Sequence, residues 1–133
     1  MPRLMLVDDE VNILSSLRRA LIAMPEGTFP SPLSIETFAS PVQALARAHE
    51  MAFDLVISDY RMPEMDGVAF LEKLREIQPD YVAMYLMCGQ MLEGRARKAE
   101  ARAWYVDGVN RAKQKGDAHA LSELEGALNT LED

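Results

Sequence analysis

The chain has 133 residues, 49% of them apolar and 26% charged, which fits one compact domain of about 100–200 residues with enough apolar side chain to bury a core. Fourteen basic against twenty-one acidic residues give a net charge of −7, so a general nucleic-acid coat protein is disfavoured. The single cysteine, Cys88, excludes an internal disulfide framework and a cysteine-rich zinc site. No apolar run approaches the roughly 18 residues that span a bilayer, and the N-terminus lacks a basic-then-apolar signal pattern. The expectation is a soluble, cytoplasmic protein without a membrane partner.

Arg3–Val7 is a short, nearly continuous apolar run, as expected for a strand buried on both faces. Val11, Leu14, Leu17, Leu21 and Met24 then recur at three- and four-residue steps, a helix pattern. Three prolines and a glycine between Pro25 and Pro32 end that helix in a loop. Leu33–Phe38 alternates and predicts a second strand, nearer an edge. Ser40-Pro41-Val42-Gln43 opens a second helix, with Ser40 as cap, Pro41 at the first helical position and Gln43 completing a capping box. Asp54–Ser58 predicts a third, strongly apolar strand. Asp66-Gly67 begins a helix with Phe70, Leu71, Leu74 and Ile77 on one stripe and Pro79 beyond its end.

Tyr81–Met87 reads as a fourth buried strand. Beyond Gly89 the pattern predicts a basic helix over about 92–102, a short strand near Trp104–Val106 and a final helix over about 117–131. Alternating strands and helices imply right-handed βαβ units. The expected fold class is therefore α/β, a doubly wound five-stranded parallel sheet with helices on both faces, formed by residues 1–133 as a single domain. Ligands of such sheets bind beyond the carboxyl ends of the strands.

Charge is unevenly spread. Residues 1–66 hold ten acids and five bases, whereas Met91–Lys115 holds seven bases and three acids. From Gly116 onward there are five acids and no Lys or Arg. The basic stretch reads as a solvated helix face, with a docking or homodimer surface towards an acidic tail as the alternative.

Asp8, Asp9 and Glu10 directly follow the first strand and Asp59 follows the third. If those strands are neighbours, Asp8, Asp9 and Asp59 converge at one sheet edge, where their mutual repulsion calls for a cation. Mg²⁺ suits a few carboxylate or carbonyl oxygens, and a carboxylate beside it can become an aspartyl-phosphate. The alternative is that Asp9 or Glu10 merely caps the helix starting near Val11.

Leu6–Glu10 and Val56–Gly67 (VISDYRMPEMDG) resemble the two signature segments of bacterial response-regulator receiver domains, CheY-like proteins of two-component systems. The similarity is clear over residues 1–90 and weak over 91–133. Phe70–Asp80 is similar to receivers attached to output domains such as cyclic-dinucleotide phosphodiesterases. By this resemblance Asp59 is the phosphoacceptor, and Asp9 with Asp59 binds Mg²⁺. Asp8 assists through water, and the Arg61 backbone carbonyl supplies another metal oxygen. The donor is a phosphohistidine on a sensor histidine kinase, and the reader is a downstream output domain or protein. The domain is not an enzyme beyond slow self-dephosphorylation, and it makes no direct contact with nucleic acid.

The pattern breaks beyond the fourth predicted strand. Cys88 falls where receivers carry Ser or Thr, and a thiol is a weak donor; it also reads as a small buried hydrophobe. No Lys-Pro pair follows the fifth predicted strand. Lys113 stands near the lysine position with Gln114 after it, and an alternative alignment places Asp107 there. Asn110 occupies the place of the usual aromatic switch residue, for which Tyr105 or Trp104 could substitute or simply be core. His49 and His119 read as surface residues.

These departures motivate a second expectation, a phosphate-independent interaction or dimerisation module. A haloacid-dehalogenase-like phosphatase is disfavoured, because Asp59-Tyr60-Arg61 lacks the second acid of an Asp-x-Asp pair.

Overall fold

The computed structural model describes residues 3–25, 27–28 and 33–131. Most of the loop expected over Pro25–Pro32 lies outside them. The chain divides into two compact units, Met1–Ile77 and Gln78–Asp133.

The first unit is α/β. Its elements are β1 (Arg3–Val7), α1 (Val11–Ile22), β2 (Ser34–Phe38), α2 (Pro41–Glu50), β3 (Leu55–Ser58) and α3 (Gly67–Ile77). The sheet is parallel, in the order β2-β1-β3. The central strand is the most apolar one, since only β1 is covered by a neighbour on each side. Leu4, Met5, Leu6 and Val7 are all buried. Leu4 and Leu6 pack with Leu14 of α1, and Leu21, Leu33 and Ile35 extend that cluster. Met5 and Val7 alternate to the other face.

The Ser40 cap and Pro41 stand as the sequence pattern predicts, but among the described residues the Gln43 side chain does not bond back to Ser40, so the capping box is half formed. The Ser40 hydroxyl accepts the Gln43 amide at 3.4 Å, and Pro41 stands at the start of α2. Asp66 accepts the Ala69 amide at 2.8 Å and so caps α3, whose Phe70, Leu71 and Leu74 are buried.

β3, though strongly apolar, is buried on one side only. Val56, in register with Met5, is fully buried, but Leu55 and Ile57, in register with Leu4 and Leu6, are 43% and 40% exposed. The sheet face that α1 covers at β1 is thus open at β3.

The second unit is helical: α4 (Ala83–Glu93), α5 (Lys98–Lys115) and α6 (Ala118–Leu131). The expected α/β class with a parallel sheet and helices stands, but the strand count needs correction, because the sheet has three strands among the described residues rather than five. The expected fourth strand, Tyr81–Met87, lies largely in α4. Its continuous apolar run concealed the helical spacing of Met84, Tyr85, Cys88 and Leu92, all buried; a short apolar run carries no period that separates a buried helix from a buried strand. Ala, Met and Leu favour the helix.

The expected fifth strand, Trp104–Val106, lies inside α5. There Ala101, Trp104, Tyr105, Gly108 and Ala112 form one buried stripe at helical steps. The basic helix expected over about 92–102 is interrupted by a turn at residues 94–97, where Ala96 takes a φ of 59°. The final helix stands as expected, with Asp117 accepting the Ala120 amide at 3.1 Å.

α5 packs on both α4 and α6. Gly108 permits that approach: a Cβ there would lie 2.6 Å from Tyr85 Cβ and 2.9 Å from a Leu124 methyl. α5 ends at Gly116, whose φ of 73° is the left-handed conformation that terminates helices. Tyr85 and Trp104 meet with ring centroids 5.9 Å apart, and the Tyr85 hydroxyl donates to the Pro79 carbonyl at 2.8 Å. No helix among the described residues is long and apolar enough to cross a membrane.

Candidate functional site

The carboxyl ends of β1 and β3 are neighbours, and the loops leaving them carry the acids. The Asp8 amide donates to the Phe38 carbonyl at 3.1 Å, and the Asp59 amide donates to the Val7 carbonyl at 3.0 Å. These bonds extend the ladders one residue beyond the strands and fix where each aspartate leaves the sheet. The result is a cluster of Asp8, Asp9 and Asp59 whose oxygens lie within 4.8 Å of one another.

Burial differs within the cluster. Asp8 is buried at 8% exposure, whereas Asp9 and Asp59 are exposed. Burial, followed by the repulsion of Asp59 and Asp9, pushes the Asp8 carboxyl above its usual range. The Glu10 amide, donating to Asp8 Oδ1 at 2.9 Å, opposes that shift. Glu10 stands at the N-cap of α1 without a side-chain capping bond.

The loop after β3 is closed on itself. The Tyr60 amide donates to Asp59 Oδ1 at 2.9 Å, and the Gly67 amide donates to the Tyr60 carbonyl at 2.7 Å. One Asp59 oxygen is thereby held by its own loop. The tie through the Tyr60 backbone has no side-chain signal, so the sequence did not point to it. Arg61 is exposed in the same loop, and its carbonyl is a backbone oxygen two residues beyond Asp59.

The donor set is all oxygen, anionic and partly exposed. That suits a hard divalent cation such as Mg²⁺, which retains several waters.

Cys88 and Lys113 do not stand at strand ends. Cys88 is fully buried within α4, consistent with a small buried hydrophobe, and Lys113 is exposed in the last turn of α5. Asp107 and Asn110 also lie within α5, while Trp104 and Tyr105 are buried core residues. Tyr105 donates a hydrogen bond to Glu93 on α4. Burial and the Glu93 carboxylate push its hydroxyl well above the usual tyrosine range. His49 and His119 are exposed, and His119 pairs with Glu123 at 2.7 Å.

Comparison with known proteins decides the family. The sequence profile of the response regulator receiver domain matches residues 4–106.

The chain belongs to the response-regulator receiver family.

The transcriptional regulatory protein PrrA of Mycobacterium leprae is 30% identical over 102 residues, covering 77% of this chain. This receiver chain spans only 41% of PrrA's length. The cyclic di-GMP phosphodiesterase response regulator RpfG of Xanthomonas campestris is 34% identical over 74 residues, 56% of this chain and 18% of RpfG. Among solved structures, the chemotaxis protein CheY4 of Vibrio cholerae is similar at a TM-score of 0.50 and 32% identity, covering 61% of each chain.

Proposed function

We propose that this receiver domain accepts a phosphoryl group on Asp59 from a phosphohistidine of a sensor kinase, with Mg²⁺ held by Asp8, Asp9, Asp59 and the Arg61 carbonyl. The observation that carries the reading is the convergence of three aspartates at the paired ends of β1 and β3. Mg²⁺, when bound, offsets the negative charge that would otherwise repel an incoming phosphoryl group.

The chain's own residues do the rest. The Val7 carbonyl fixes the Asp59 backbone, and the Tyr60 amide holds one carboxylate oxygen. The other Asp59 oxygen forms the O–P bond as the N–P bond of the donor breaks and the imidazole nitrogen keeps the electron pair. Water later attacks phosphorus, releasing inorganic phosphate and restoring the carboxylate. The domain thus works as a phosphoacceptor for an output domain or protein, with self-dephosphorylation as its reset and the cytoplasm as its compartment.

Reductive trapping tests this. After incubation with acetyl phosphate and Mg²⁺, borohydride converts an aspartyl-phosphate to homoserine, and peptide mapping finds it at position 59. Homoserine elsewhere, or none, contradicts the assignment.

A second reading, a phosphate-independent interaction module, is favoured by one observation. The segments expected to form the fourth and fifth strands, with Cys88 and Lys113, are helical. It requires that Asp59→Asn leave partner binding unchanged.

A further inference from the structure

We infer that the α5 helix carries a docking stripe for an acidic, apolar-studded polypeptide segment. The helical unit contains seven basic residues between Arg95 and Lys115. Most are engaged within the unit. Arg97 pairs with Glu100 at 2.5 Å, Arg111 reaches Asp80 at 3.5 Å, and Lys115 donates to the Asp80 carbonyl at 2.8 Å. Lys98, Arg102 and Lys113 are exposed, and their side chains have neither an ion pair nor a hydrogen bond among the described residues.

These three unengaged cations share one face. At about 100° per residue, Lys98, Arg102 and Lys113 fall within an arc of roughly 60°, and Val106 and Val109 within about 80° of Lys98 on the same side. Val106 is 45% exposed and Val109 half-buried. The two acids of α5, Glu100 and Asp107, lie roughly 100° or more away from the centre of that arc. The stripe therefore presents three cations around two valines over about 22 Å of helix, with no carboxylate on the same arc.

The valines choose among anionic partners. They sit in the middle of the stripe, where a phosphate backbone would offer them nothing to pack against. A membrane-surface helix needs a wide face with Trp, Phe or Leu, which two valines do not supply. A peptide helix with Glu flanking Leu complements both features, since carboxylates meet the cations and the apolar side chains cover Val106 and Val109.

Fluorescence anisotropy of the full chain tests this. The probe is a labelled alanine-based helical peptide carrying Glu at the spacing of Lys98, Arg102 and Lys113 and Leu at that of Val106 and Val109. Saturable binding is expected, weakened at least about threefold in the combined K98E, R102E and K113E variant, since each exposed pair contributes about 0.2–1 kcal/mol. Val106→Asp, an independent change, also weakens it. All four positions are surface-exposed, and circular dichroism confirms that each variant keeps its helices. Absence of binding, or equal binding by the charge-reversed variant, overturns the inference. So does tighter binding of a single-stranded oligonucleotide or of phosphatidylserine vesicles than of the peptide.

Discussion

The Asp59 amide donates to the Val7 carbonyl at 3.0 Å, tying the first residue after β3 to the last residue of β1. That bond continues the Val7–Ser58 register, so the proposed phosphoacceptor leaves the sheet level with Asp8. It also makes the repulsion between their carboxylates part of the fold rather than an accident of a loose loop. The site is held by backbone, so its geometry follows from strand order.

The buried Asp8 gives a signed pH dependence. Its carboxyl is held above the ordinary value of 3.8 by burial and by Asp59 and Asp9. The folded state therefore keeps a proton that the unfolded chain has already released. Asp8's contribution to stability is fully present below that ordinary value and is lost as pH rises through the folded value. At neutral pH Asp8→Asn raises the melting temperature of the metal-free protein, because the buried charge and its repulsion by Asp59 and Asp9 are removed. In acid, where Asp8 is protonated anyway, the difference between the two proteins shrinks. Mg²⁺ raises the wild-type melting temperature at neutral pH and does so less in Asp8→Asn. Thermal melts with chelator or Mg²⁺, in acid and neutral buffer, check each part.

The exposed edge strand gives a contrast between adjacent residues. Val56→Ala removes a fully buried side chain and costs about 2 kcal/mol, whereas Ile57→Thr, at 40% exposure, costs less than about 1 kcal/mol. Equal losses in urea unfolding would mean that the Ile57 face is covered in solution.

Gly108 tests the packing of the helical unit. Alanine is the better helix former by about 1 kcal/mol, so an exposed glycine-to-alanine change would stabilise α5. Here the new methyl meets Tyr85 Cβ at 2.6 Å and Leu124 at 2.9 Å. Overpacking of about 1–3 kcal/mol outweighs the propensity gain, and Gly108→Ala lowers the urea midpoint. An unchanged or raised midpoint would show that α5 shifts freely over α4 and α6.

The N-terminal unit was legible because its signals are local and redundant. β1 has an unbroken apolar run, α2 has Ser40 and Pro41 at its start, and α3 has Asp66 as its cap. The acidic cluster followed from strand adjacency alone. The C-terminal unit was misread where those signals fail. An all-apolar run such as that around Tyr85 has no visible period, and Trp104-Tyr105-Val106 looks strand-like until Ala101, Gly108 and Ala112 are counted with it.

Intact-protein mass after incubation with acetyl phosphate, with and without Mg²⁺, tests the central claim most directly. The wild-type chain gains one phosphoryl group only when Mg²⁺ is present, and Asp59→Asn gains none. An unmodified wild-type chain that is folded and saturated with Mg²⁺, or a modified Asp59→Asn chain, contradicts the assignment of Asp59 as the acceptor.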